Sequence, residues 1–183
     1  MSDKDPVQNI AQEAREFMQG FQSLTLATSN AQGKPEASYA PFVQIGHKFY
    51  VYVSELAVHC ANLQQSPRCS AMFIENEEQA KTVFARRRFT LQCSAQEIAR
   101  DLPLFETAMD AFRSKFGKFI DMIAPLTDFH LIELSPSMGS YVSGFAKAYH
   151  LVGEDLGTVA HRNEQGHQSP DSKNAAALQA LTD

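Results

Sequence analysis

LTLATSNAQGKPEASYAPFVQIGHKFYVYVS, residues 24–54, is the stretch that decides the fold. It holds three extended runs, at residues 24–28, 36–43 and 48–54. The first two are separated by Asn30-Ala31-Gln32-Gly33, a hairpin turn by composition. Ile45-Gly46-His47 turns the chain again before the third. In that third run Phe49, Val51 and Val53 alternate with Tyr50 and Tyr52, the period of a β-strand. Pro41 lacks an N–H and marks an edge or a bulge in the second run. Three short strands joined by tight turns form an antiparallel meander.

The flanks extend this pattern. Upstream, Asp5 suits a helix N-cap and Pro6 suits the first helical position. Val7, Ile10, Ala11, Ala14, Phe17, Met18 and Phe21 then recur at helical spacing, and Gly20 ends the helix. Downstream, residues 57–65 form a short helix stopped by Ser66-Pro67. Residues 69–74 and 87–94 read as strands. From Asp101 a longer helix carries Leu102, Phe105, Met109, Phe112 and Phe116 on one face; Gly117 interrupts it before it resumes to Ile123. Residues 129–134, ended by Pro136, and 141–151, with Gly144 as a bulge, read as two more strands. Residues 154–174 are polar and aperiodic. Short antiparallel strands with few helices, and no regular βαβ alternation, predict a small closed or partly closed barrel.

Composition narrows the function. The chain has 183 residues, 44% hydrophobic and 20% charged, with a net charge of −5. No global basic field exists to draw in nucleic acid or an anionic membrane. The N-terminus is acidic and polar with no apolar segment after it, unlike a signal peptide, so a cytoplasmic setting is expected. Three cysteines, Cys60, Cys69 and Cys93, are odd in number, widely spaced and free of CxxC. They read as reduced apolar residues rather than a disulfide or zinc framework. No Walker loop, nucleophile elbow, HExxH or GxGxxG occurs.

What remains is a handful of side chains. Arg86-Arg87-Arg88 opens the fifth strand. Alternation puts Arg88 with Thr90 and Gln92 on the outer face, and Arg87 with Phe89, Leu91 and Cys93 on the core side at the mouth. Such arginines suit a phosphate or propionate, or simply a solvated edge. His59 lies early in the short helix, where a helix N-terminus with an adjacent side chain can hold an anion, although a lone histidine there is more often an ordinary surface residue. Asp128 precedes the sixth strand, and His130 within it reads as structural. His161 and His167 lie in the polar tail at a spacing that matches no compact metal motif.

Three segments together resemble a known superfamily. They are Leu26-Ala27-Thr28 leading to Gly33-Lys34-Pro35 and Ser38-Tyr39-Ala40-Pro41-Phe42; His59-Cys60-Ala61-Asn62-Leu63 leading to Ser66-Pro67; and Phe84-Ala85-Arg86-Arg87-Arg88. This layout is similar to the pyridoxamine-5′-phosphate-oxidase-like split barrels, which are homodimers with ligands at the subunit interface. With Gly144-Phe145-Ala146-Lys147-Ala148-Tyr149 and Gly166-His167, the chain most resembles the HugZ/HutZ heme-utilisation branch, from the first helix through His167.

The resemblance implies a mainly β, α+β fold: an antiparallel split β-barrel of six to seven strands, with an N-terminal helix and a helical insertion. It implies a barrel domain at residues 1–153 and a flexible tail at 154–183. His167 matches the axial ligand of heme b iron, and Asp128 the carboxylate that hydrogen-bonds that histidine from the other subunit. Arg88 and His59, with Arg87 beside them, match positions around the propionates and the distal face. The implied activity is oxidative heme breakdown with an external electron donor, a biliverdin-type product and iron release. A heme carrier without turnover and an FMN- or F420-type oxidoreductase are the alternatives. FMN is disfavoured because Ala57-Val58-His59-Cys60 lacks the Arg or Lys that would hold its phosphate.

Overall fold

The computed structural model describes residues 6–145, 147–153 and 155–161. Helix α1 (Pro6–Gln19) leads into strands β1 (Ser23–Ser29), β2 (Pro35–Ile45) and β3 (Lys48–Ser54). Helix α2 (Val58–Gln65) and strand β4 (Arg68–Ile74) follow. After two single 3₁₀ turns come β5 (Arg88–Ile98), α3 (Pro103–Phe116), α4 (Lys118–Ile123), β6 (Phe129–Gly144), β7 (Lys147–Val152) and β8 (Thr158–His161). The sheet order is β3-β2-β1-β4-β5-β6-β7-β8, and β3 also pairs with β6. That extra pairing closes six strands into an antiparallel barrel and leaves β7 and β8 as an extension of β6.

The β1–β2 hairpin turns where composition placed it. Asn30 Oδ1 accepts hydrogen bonds from the backbone of Gln32 (3.0 Å) and Lys34 (2.9 Å), an Asx-type turn. Gly33, at φ 77°, takes the left-handed conformation the turn requires. Pro41 is neither at a sheet edge nor in a bulge. It is the last β2 residue in the register that pairs Ser23–Ser29 with β2, and Phe42 is the first to pair with β3. Pro136 plays the same part in β6. The strand does not stop there, as expected, but runs on to Gly144, because Pro136 falls between the segment paired with β3 and the segment paired with β7. A missing N–H is tolerated where a strand changes partner. The register does shift between Val142 and Gly144, but the single strand expected over residues 141–151 is two. β6 ends at Gly144, the chain turns at Phe145, and Lys147–Val152 folds back as β7 with Lys147 opposite Gly144. Alternation alone does not reveal so tight a turn.

Two compact units are distinguishable. One takes in residues 20–72 and 91–137. Its barrel interior includes Leu24, Leu26, Phe49, Val51, Leu91, Ile132 and Leu134, all buried. The outer face of β3 is buried as well, because α3 and α4 cover it. Tyr50, Tyr52 and Leu131 pack there with Phe105, Met109, Phe112 and Ile120. Arg100 ties this layer together, donating to the carbonyls of Ala124, Leu126 and Phe129 and to Tyr52 Oη.

The other unit comprises the described parts of residues 1–19, 73–90 and 138–183. The apolar face of α1 is buried through Ala11, Ala14, Phe17 and Met18, with Phe17 and Phe89 both against the Tyr141 ring. The expected tail at 154–183 needs one correction. Thr158–His161 is an eighth strand, paired antiparallel with β7 from Val152↔Thr158 to Tyr149↔His161. Four residues are too few for strand alternation to register against a polar background.

Candidate functional site

Three consecutive arginines do three different things. Arg86 is structural. Its Nε donates to the Glu75 carbonyl at 2.8 Å, its Nη2 bonds the same oxygen, and its Nη1 pairs with Glu77 at 2.9 Å. These bonds brace the loop between β4 and β5. Arg87 turns inward as alternation predicts, with its guanidinium carbon 4.5 Å from the centre of the Phe17 ring. Its backbone N–H donates to Glu75 Oε2 at 3.1 Å, while its buried Nε has no partner among the described residues. Arg88 begins β5, half-buried, and its Nη1 donates to the Arg86 carbonyl at 3.3 Å.

Arg87 also lines a cavity of about 430 Å³ with Glu75, Lys81, Thr82, Ser143 and Lys147. Three cations against one carboxylate give this cleft a positive lining, suited to a propionate or phosphate. The orphaned Nε is the kind of buried donor that an anionic ligand satisfies. Nearby, the buried Tyr141 hydroxyl donates to Glu13 Oε1 at 2.7 Å. Burial and that hydrogen bond push its pKa up, against the opposing charge of Arg87.

Asp128 lies just before β6. Its backbone carbonyl accepts from Glu55 N at 2.9 Å, and its Oδ2 accepts from Ser54 Oγ at 3.3 Å. Its Oδ1 has no partner among the described residues. One carboxylate oxygen therefore anchors the side chain, and the other is open to a further donor such as an imidazole N–H. His59 sits half-buried in the first turn of α2, where burial lowers its pKa against the pull of Glu36. Helix α2 contains neither Arg nor Lys, so no cation there meets an FMN phosphate.

The structure adds a cluster that sequence reading missed. His130 Nδ1 lies 2.6 Å from Glu97 Oε1, and its Nε2 lies 2.8 Å from Glu55 Oε1. Gln64 donates to the other Glu97 oxygen at 3.1 Å. The two carboxylates, Glu97 first, raise the His130 pKa. Glu97 is pulled up by burial but held below its ordinary value by His130 and Gln64. The glutamates are 42 residues apart in the chain, so no local motif announces the cluster. No group of three His, Cys, Asp or Glu among the described residues is arranged to hold a metal ion.

Arg87 and Arg88 thus belong to one unit, and His59 and Asp128 to the other. His167 lies outside the described residues.

The family model for pyridoxamine 5′-phosphate oxidase matches residues 10–143. Fold and match together define a split barrel of that class. At the level of individual relatives, the heme oxygenase HutZ of Vibrio cholerae serotype O1 is 42% identical over 156 residues, which span 85% of this chain and 88% of HutZ. A crystal structure of Vibrio cholerae HutZ, there described as a heme storage protein, aligns with a TM-score of 0.66 at 41% identity, covering 69% of this chain and 89% of that one. The crystal structure of Campylobacter jejuni ChuZ aligns with a TM-score of 0.81 at 32% identity, covering 91% of this chain and 68% of that one. The chain belongs to the HugZ/HutZ family of pyridoxamine-5′-phosphate-oxidase-like split barrels.

Proposed function

We propose that this protein binds heme as its substrate, at a site shared by two copies of the chain, and degrades it oxidatively to release iron. The observation that carries this reading is the 42% identity to a heme oxygenase, sustained over 88% of that relative. The iron supplies the oxygen chemistry, an external donor supplies the electrons, and the protein binds and orients.

In this reading His167 is the axial ligand. The open Oδ1 of Asp128 in the second copy accepts the other ring N–H of that imidazole, which sets its tautomer and its basicity. Ser54, bonded to the opposite carboxylate oxygen, would leave Oδ1 to receive that N–H. Arg88 and Arg87 meet the propionates, and His59 stands by the distal face. Pairing of two chains is supported by apolar side chains left in water: Leu56 is 92% exposed and Val58 is 59% exposed around the start of α2. The setting proposed is the cytoplasm; no helix among the described residues is long and apolar enough to cross a membrane.

A second reading, a heme store or carrier without turnover, is favoured by the description of Vibrio cholerae HutZ as a heme storage protein. Single-turnover assays separate the two. With ascorbate or a reductase in air, degradation predicts loss of the Soret band, a biliverdin-type absorbance and chelatable iron. A Soret band that persists through reduction and oxygen exposure identifies a carrier. A flavin absorbance in the purified protein instead identifies an FMN-type oxidoreductase.

A further inference from the structure

We infer that Cys69 and Cys93 are a reversible dithiol–disulfide pair that staples β4 to β5. The observation is the register of the β4–β5 ladder. At one end Ala95 N donates to the Pro67 carbonyl at 2.7 Å; at the other Glu75 N donates to the Arg87 carbonyl at 2.9 Å. A single antiparallel register satisfies both bonds. It also sets Ser70 opposite Gln92, whose side chains are 3.5 Å apart. Two residues in from Pro67 and Ala95, that register places Cys69 directly opposite Cys93, in a hydrogen-bonded pair.

Residues in such a pair have Cα atoms about 5.5 Å apart, inside the roughly 4.4–6.8 Å that a disulfide spans. Their Cβ atoms, about 4.5–5.5 Å apart, must close to roughly 3.5–4.5 Å on bonding. The link therefore forms with some strain, and strained disulfides are the readily reduced ones. Both cysteines are buried on the core side of the barrel and both are free thiols in the structure. A hydrogen bond from Cys93 holds the Cys69 thiol below its ordinary pKa, against the effect of burial. The donor role and burial push Cys93 up. In the step proposed here Cys69 attacks and Cys93 resolves. Cys60 stands apart in α2, its thiol pushed up to about 11 by burial with Glu55 and Glu97.

The oxidant is a peroxide. The Cys69 thiolate attacks one peroxide oxygen, the O–O bond breaks, and the leaving hydroxide takes a proton to become water. Cys69 is then a sulfenic acid. Cys93 sulfur attacks Cys69 sulfur, the S–O bond breaks, and the departing hydroxide leaves as water with the Cys93 proton. Two thiols lose two electrons, and one hydrogen peroxide becomes two waters. The closed link ties β4 to the strand that begins with Arg88, and a dithiol reductant reopens it. The pair stands whether or not the chain binds heme.

The test is titration of the reduced, full-length protein with hydrogen peroxide, followed by thiol counting in denaturant and peptide mass spectrometry. The expected result is a fall from three free thiols to one, loss of two hydrogen masses, and a Cys69–Cys93 cross-linked peptide that dithiothreitol cleaves. Cys60→Ser should give the same link, and Cys69→Ala and Cys93→Ala should give no intramolecular link. Three thiols surviving a several-fold excess of peroxide would overturn the inference. So would a link through Cys60, or overoxidation of Cys69 with Cys93 left free. The mapping on the unsubstituted protein decides the matter even where a variant fails to fold.

Discussion

Asp128 and His130 sit two residues apart and have separate tasks. Asp128 keeps one oxygen open, and in the proposed site it would partner the axial histidine and set ligand strength. Asp128→Ala is therefore expected to weaken heme binding roughly 10–100-fold, measured by Soret titration, while Ser54→Ala weakens it far less. An Asp128→Ala variant that binds heme as the parent does removes this residue from the site. His130 lies between Glu97 and Glu55, which raise its pKa above 6.5. A raised imidazole pKa contributes stability that is fully present below the unfolded-state value and is lost as pH rises through the folded-state value. Glu97, held below 4.5, contributes stability above that value and loses it as pH falls through its depressed pKa. Thermal stability should thus decline as the pH rises from about 6.5 through the raised value. His130→Gln should flatten that decline, as read from Tm across the range. An unchanged slope in the variant contradicts the assignment.

Element by element, what was legible depended on how local the signal was. Helix α1, the β1–β2 turn at Asn30 and the break at Gly117 each follow from a few neighbouring residues, and each is where sequence reading places it; the hairpin that follows Gly144 is not. The two prolines were read as local breaks. Their true position, where one strand passes from one partner to another, depends on pairings across the barrel that a linear reading does not contain. The same limit applies to β3. Its alternation was plain, but burial of both faces depends on α3 and α4 folding back over Tyr50 and Tyr52. At the site, the inward turn of Arg87 follows from strand period. The open oxygen of Asp128 and the Glu97–His130–Glu55 bridge depend on long-range contacts and left no trace in spacing. The α3–α4 layer also carries a stability prediction. Phe112 is buried against Tyr52 and stacked on Phe116. Phe112→Ala should cost about 3–5 kcal/mol in denaturant unfolding. A loss below about 1 kcal/mol would show that the layer is not part of the cooperative fold.

At the scale of the whole molecule, the proposed site is one that two copies of the chain complete together. Arg87 and Arg88 provide positive charge, Asp128 provides a carboxylate, and His167 follows β8 in sequence. Leu56→Glu, placing a charge at the exposed apolar position just before α2, should shift the proposed dimer to monomer in analytical ultracentrifugation and lower heme bound per chain in step. A variant that remains dimeric moves the interface elsewhere. The central claim is ligation of heme iron by His167, and the direct measurement is a heme titration followed through the Soret region for the parent protein and His167→Ala. The expected result is a saturable, six- or five-coordinate histidine-type spectrum at one heme per chain in the parent, and loss of that spectrum with at least about a tenfold fall in affinity in the variant. Identical spectra and affinities in the two proteins would contradict it.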